Sequence, residues 1–194
     1  MNNIAIFASG SGTNAENIIE YFSTKNSAKV TLVLSNKREA MVLKRAGKHN
    51  VKSVFFERDD FYVSGKVLDS LLVHKIDFIV LAGFLWLVPE NILEIYHGRI
   101  INIHPALLPR YGGKGMYGEA VHKAVIGNRD PESGITIHYV NKHYDEGDII
   151  FQAKCKVDPT DTPESLAVKI HALEYQHFPR VIEELVGKLA DFGC

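Results

Sequence analysis

The sequence predicts an α/β domain built on a mostly parallel central sheet flanked by helices, and three observations carry that expectation. Short apolar runs alternate with amphipathic stretches through the first hundred residues, the pattern that strands and crossover helices produce. One run, DFIVLA (77–82), is apolar throughout after its first residue, as a strand covered on both faces must be. A chain of 194 residues with 46% hydrophobic content supplies one core more readily than two, so the whole of 1–194 is expected to form one domain.

The elements follow in order. Strands are expected at 4–8, 30–34, 51–56, 77–82 and 99–103, with helices between them at 13–23, 38–49, 60–75 and 89–97. Pro89 suits the first position of the last of these helices. After residue 104 the texture changes. PALLPRYGGKGMYG (105–118) holds two prolines and four glycines and reads as a loop, with a short helix following at 119–127. GITIHYV (134–140) and DIIFQAKCKV (148–157) read as two strands around the turn NKHYDEG, a hairpin attached to the parallel sheet. Thr162 as N-cap and Pro163 at the first helical position open a long final helix that reaches about Leu189.

Composition excludes several function classes. A net charge of -1 shows no basic bias, so nucleic acid is not expected as a partner. No stretch reaches the roughly 18–20 apolar residues of a membrane span. The start, MNNIAIFASGSGTN, lacks a basic leader region and reads as a first strand, so a cytoplasmic protein without signal peptide is expected. Cys155 and Cys194 are too few and too far apart for a disulfide framework or a zinc site, and are expected to be free thiols.

Open parallel sheets bind ligands outside the carboxyl ends of their strands, and three such ends carry chemistry here. The first strand runs into Gly10-Ser11-Gly12-Thr13-Asn14 and then a helix. Glycines let the backbone approach an anion, and a helix N-terminus offers free N–H groups and partial positive charge. Ala15 stands where a dinucleotide fingerprint needs its third glycine, and no triphosphate loop is present, so a single phosphate is the expected guest. An ordinary glycine–serine turn is the competing reading of this segment alone.

INIHP (101–105) is the most informative segment. Residues two apart on a strand share a face, so Asn102 and His104 point together while Ile101 and Ile103 point away. An amide donor beside an imidazole suits a developing oxyanion, and the imidazole can move a proton. Further on, Tyr144-Asp145-Glu146-Gly147-Asp148 places carboxylates in a turn, where they are often merely solvated. A carboxylate near His104 would raise the imidazole pKa.

Together the motifs GSGTN (10–14), AGFLWLVP (82–89), INIHPALLP (101–109) and YDEGDIIFQ (144–152), in this order and spacing, resemble those of the glycinamide ribonucleotide formyltransferase family over nearly the whole chain. The resemblance implies a Rossmann-like fold and two substrates, glycinamide ribonucleotide and 10-formyltetrahydrofolate, with no metal. It implies a catalytic triad at Asn102, His104 and Asp145, the acid two places before Gly147. It implies phosphate binding by Gly12, Thr13 and Asn14, and a ribose-side contact from Glu174 in the final helix. Folate contacts fall on Leu85, Trp86, Leu87 and Val88, on the backbone at Asn102, and on the loop from Asn141 to Asp145. The Leu108–Pro109 bond matches one that is cis in the family. Residues 1–100 then form a phosphate-binding half, and 101–194 a catalytic and folate-binding half. A monomer or weak homodimer is expected.

The chain also departs from the family pattern. Leu85-Trp86 stands where many relatives have Met-Arg, giving a bulkier, uncharged wall, and core packing is its competing reading. The stretch 112–134 is longer than in common relatives, with His122 as a match to a loop histidine. Arg58 is the candidate for the arginine that contacts folate. The expected chemistry is attack of the ribonucleotide amine on the formyl carbon, with Asn102 and a protonated His104 donating to the oxyanion, each such donor worth about 3–4 kcal/mol of barrier. Three alternatives remain: a formyl-folate hydrolase, another folate-dependent formyltransferase, and a non-catalytic nucleotide-binding module. The first two are disfavoured here because they would carry additional domains.

Overall fold

The first strand shows why the sheet is covered on both sides. In the computed structural model, which describes residues 1–191, β1 (Asn2–Phe7) turns Ile4 and Ile6 to one apolar cluster and Ala5 and Phe7 to another. All four are buried, so alternation along the strand feeds two cores rather than one core and solvent. The first cluster takes α1 (Thr13–Ser23), α2 (Met41–Lys48), α6 (Glu119–Gly127) and α7 (Pro163–Asp191). The second takes α3 (Arg58–Tyr62), α4 (Lys66–Val73) and α5 (Glu90–Ile95).

The remaining strands are β2 (Ala28–Ser35), β3 (Lys52–Phe55), β4 (Phe78–Leu81), β5 (Ile100–His104), β6 (Glu132–Tyr139) and β7 (Ile149–Lys156). They form one sheet in the order β3-β2-β1-β4-β5-β6-β7. Strands β1 to β5 pair in parallel, and β6 and β7 extend the sheet antiparallel, so the expected α/β class and added hairpin hold. The chain leaves β1 toward β2 on one side and returns to β4 on the other. That reversal opens a crevice at the carboxyl ends of β1 and β4.

One expected element is corrected. The helix read at 60–75 is two helices, α3 and α4, separated at Gly65, which takes φ 75° and caps α4. The apolar periodicity of the segment hides a break at which glycine takes the left-handed conformation without steric cost. The final helix starts at Pro163 as expected, and Thr162 caps it. Thr162 Oγ1 accepts from the Ser165 amide at 3.3 Å while Ser165 Oγ accepts from the Thr162 amide at 2.9 Å. Pro179 lies inside this helix and has no N–H to give the carbonyl four residues back. That carbonyl, of Tyr175, accepts from Asn17 Nδ2 of α1 at 3.1 Å, so the unmade helix bond becomes a helix–helix contact. Cys155 is half-buried and free, and Cys194 lies outside the described residues.

Candidate active site

The loop after β1 is suspended between two neighbouring strands. The Ala8 amide donates to the Leu34 carbonyl at 3.1 Å, and the Ser9 amide to the Gly83 carbonyl at 3.0 Å. Ser9 Oγ accepts from the Leu85 amide at 3.1 Å and ties the 82–88 segment to the same loop. Gly12 caps α1 at φ 74°, and a Cβ there would fall 2.4 Å from the Cβ of Val42. Both the dihedral and the contact require glycine. Glu16 is the first amide of α1 with a carbonyl partner (Gly12, 2.9 Å), so the amides of Thr13, Asn14 and Ala15 are left for a ligand. At the other end of this wall Glu174, 5% exposed, accepts from Asn14 Nδ2 at 2.9 Å and pairs with His171 Nδ1 at 2.9 Å. Glutamate 174 pushes the His171 imidazole up. Asn14 Oδ1 and His122 Nδ1, also in this region, are buried without a hydrogen-bond partner among the described residues.

The opposite wall is built from β5 and the β6–β7 loop. As strand alternation requires, Ile101 and Ile103 are buried in the first core while Asn102 and His104 face the cavity. The turn brings Asp145 to them. Gly147 permits it, because a Cβ there would meet the Tyr139 carbonyl oxygen at 1.7 Å. Asp145 adopts φ 57°, takes the Gly113 amide on Oδ2 at 2.9 Å, and lies 3.4 Å from Asn102 Nδ2 and 3.6 Å from His104 Nδ1. Glu146 and Asp148 beside it are exposed. The acid that converges on the Asn–His pair is Asp145.

Electrostatics in this wall depart from the sequence expectation. His104 is 3% exposed, and burial pulls its imidazole below the ordinary histidine range. Asp145 and the Tyr111 carbonyl pull it back up without overcoming burial. The carboxylate therefore acts in the expected direction, but desolvation wins. His104 Nε2 donates to the Tyr111 carbonyl at 2.7 Å, whereas the 3.6 Å separation of Nδ1 from Asp145 is too long for a hydrogen bond. The resting ring is thus neutral with its proton on Nε2. Burial pushes the Asp145 carboxyl up, but the hydrogen-bonding influence of His138, the neighbouring His104 and the Gly113 amide hold it below the usual carboxylate range.

The two walls enclose a cavity of about 600 Å³. Gly12, Thr13, Asn14, Leu85, Trp86, Asn102, His104, Asp145 and Glu174 all line it. Trp86 does so with one side while packing on Phe56 and Phe61 at ring separations of 6.0 and 6.1 Å, so it is both core and wall. The cavity does not reach Leu87, whose carbonyl accepts from the Tyr62 hydroxyl at 2.8 Å, or Val88, which is buried in the second core. Asn141 also lies off the lining, its Oδ1 accepting from the His143 amide at 2.8 Å. Arg58 is exposed outside the cavity, its guanidinium 4.8 Å over the Tyr62 ring and 5.7 Å from that of Trp86. Leu108–Pro109 is cis.

Sequence reasoning missed three contributors. His138 on β6 contacts Asn102, yet on its own it reads as a lone histidine in an apolar strand, and only the β5–β6 register reveals the pairing. The Tyr111 carbonyl carries no side-chain signal. The loop 113–118 lines the cavity through Lys114, Met116 and Tyr117, and its irregular backbone has no periodicity to read.

Comparison with known proteins agrees with this arrangement. Residues 2–182 match the family described as formyl transferase. The chain is 35% identical over 192 residues to the phosphoribosylglycinamide formyltransferase of Bacillus subtilis, covering 96% of each. The crystal structure of phosphoribosylglycinamide formyltransferase from Bacillus halodurans matches with a TM-score of 0.86 at 36% identity, covering 97% of both chains. That from Anaplasma phagocytophilum matches with a TM-score of 0.87 at 32% identity, over 95% of this chain and 86% of the other. Among the described residues no helix is long and apolar enough to cross a membrane. On these grounds the chain belongs to the formyl transferase family and, within it, to the phosphoribosylglycinamide formyltransferases.

Proposed function

We propose that Asn102, His104 and Asp145 carry the reaction of this enzyme, transfer of the formyl group of 10-formyltetrahydrofolate to the amine of glycinamide ribonucleotide in purine biosynthesis. The observation that supports this most is the placement of those three groups on one wall of a cavity whose other wall is the phosphate loop. Gly12, Thr13 and Asn14 hold the ribonucleotide phosphate on backbone amides, and Glu174 takes ribose hydroxyls. The folate lies against Leu85 and Trp86.

The resting protonation state sharpens the chemistry. As the amine attacks the formyl carbon, the carbonyl π pair moves to oxygen and the attacking nitrogen becomes acidic. His104, neutral at rest, takes that proton on Nδ1 and becomes an imidazolium facing Asp145. Asn102 donates to the oxyanion through the amide hydrogen that leans weakly toward Asp145. On collapse the C=O reforms, the bond to folate N10 breaks, and His104 returns the proton to N10. The products are formylglycinamide ribonucleotide and tetrahydrofolate. This route requires no metal. A monomeric or weakly dimeric cytoplasmic enzyme, divided into a phosphate-binding half and a catalytic half at about residue 100, belongs to the same reading.

The test is tetrahydrofolate release with glycinamide ribonucleotide as acceptor in His104→Ala, Asn102→Ala and Asp145→Ala. Each variant is expected to lose at least about 10²-fold in kcat. Near-wild-type rates in all three would overturn the assignment. Formate release without any amine would support the hydrolase alternative.

A further inference from the structure

His138 is a second buried histidine at the reacting centre, and the steps above leave it unused. It sits directly opposite Asn102 in the antiparallel β5–β6 register and is 2% exposed. Its Nδ1 lies 2.9 Å from the Tyr139 carbonyl oxygen. A carbonyl only accepts, so Nδ1 carries the proton, and in the neutral ring Nε2 is left as an acceptor. Nε2 is 3.1 Å from the Asn102 amide nitrogen. Gly147 preserves this arrangement, since any Cβ there would meet the Tyr139 carbonyl.

The orientation of an asparagine amide is decided by its partners. The Asn102 corner that faces His138 also faces Asp145 Oδ1 at 3.4 Å. Turned round, the amide would place its carbonyl oxygen against a carboxylate oxygen and an imidazole lone pair. Both neighbours therefore select the NH2 group. They differ in what happens during the reaction. The hydrogen leaning toward Asp145 is the one given up to the oxyanion, and Asp145 is by then paired with the charged His104. The bond to His138 is the anchor that persists.

We propose that His138 is a positioning residue, whose Nδ1-protonated ring holds the Asn102 amide with its NH2 group toward the reacting centre, so that Asn102 presents a donor and not a carbonyl to the oxyanion. The inference rests on the role of Asn102 given above.

Two measurements test it. The first is the ¹⁵N spectrum of the histidine rings in the resting enzyme near neutral pH, with His138 assigned by its disappearance in His138→Gln. A neutral ring protonated on Nδ1 is expected. An Nε2-protonated ring or an imidazolium would overturn the proposal. The second is a double-mutant cycle. Loss of one orienting hydrogen bond in His138→Leu is expected to lower kcat about tenfold. KM should stay within about twofold, because the bond acts on the transition state. Glutamine, whose carbonyl can accept, should restore part of the rate. Added to Asn102→Ala, which should fall about 10²–10³-fold alone, His138→Leu should cause a further loss well below its own loss of about tenfold, because it acts chiefly through the Asn102 amide, its Nε2 lying farther from Asp145, at 3.6 Å. Multiplicative losses, or an unchanged kcat in His138→Leu, would overturn the role of His138 alone. Wild-type kcat in Asn102→Ala would defeat the reading of Asn102 itself. Should His138→Leu fail to fold, His138→Gln and the ring spectrum still decide.

Discussion

The two walls of the pocket offer a ligand different kinds of chemical group. The wall made by β1 and α1 works through backbone: Gly10 to Asn14 contains no titratable group, and its conformation is set by Gly12 against Val42. The wall made by β5 and the β6–β7 loop works through side chains, with His104, His138 and Asp145 held close in a buried setting. The loop of the first wall presents backbone groups that do not titrate, while His171, paired with Glu174 at the wall's other end, is titratable. A side-chain wall can move protons, and here burial lowers His104 while its neighbours hold Asp145 below the usual carboxylate range. Changes to the first wall should therefore appear as geometry and affinity, and changes to the second as turnover and pH dependence.

The largest expected effect that would test this division is on the side-chain wall. Asp145→Asn should lower kcat by about 10²-fold or more, since the imidazolium loses its counter-charge as it forms. It should also move the acid limb of kcat/KM. Burial holds His104 below the ordinary histidine range while Asp145 pulls it up, so removing the charge lowers it further. The neutral, proton-accepting ring then persists to lower pH, and the limb shifts downward. A pH–rate profile checks this, and an unmoved or upward-shifted limb would contradict it.

The backbone wall should respond differently. Gly12→Ala places a Cβ 2.4 Å from Val42 in a left-handed conformation. Overpacking of that kind destabilises by about 1–3 kcal/mol. Thermal unfolding should show the loss, and the KM for glycinamide ribonucleotide should rise, with the acid limb where it was in the wild type. A displaced limb would mean that the two walls are not separable. The smallest effect belongs to Arg58, which lies outside the cavity. Its contacts to Tyr62 and Trp86 are exposed cation–π contacts worth about 0.5–1 kcal/mol. Arg58→Ala should change the KM for the folate by no more than about fivefold. A larger rise would show that the folate reaches this rim.

The same division explains what was legible in the sequence. Strand periodicity placed Asn102 and His104 on one face because a strand constrains neighbours two apart whatever surrounds them. The glycines of the first loop were legible as a tight turn that opens a helix. Asp145 and Glu174 came only through resemblance, because nothing local says that a turn carboxylate 41 positions beyond His104, or a glutamate on a long helix, points into a shared cavity. His138 was missed because its meaning lies in a strand register. The net direction of the His104 shift was misjudged because burial cannot be weighed against one carboxylate without the fold. The division of 60–75 into α3 and α4 escaped notice because Gly65 reads in sequence as a tolerated helical glycine.

The most direct test of the division is calorimetric binding of glycinamide ribonucleotide to His104→Ala. The account predicts a Kd within about threefold of wild type while turnover falls by about 10²-fold or more. A loss of binding as large as the loss of turnover would contradict it, because the histidine would then belong to the wall that holds the ribonucleotide.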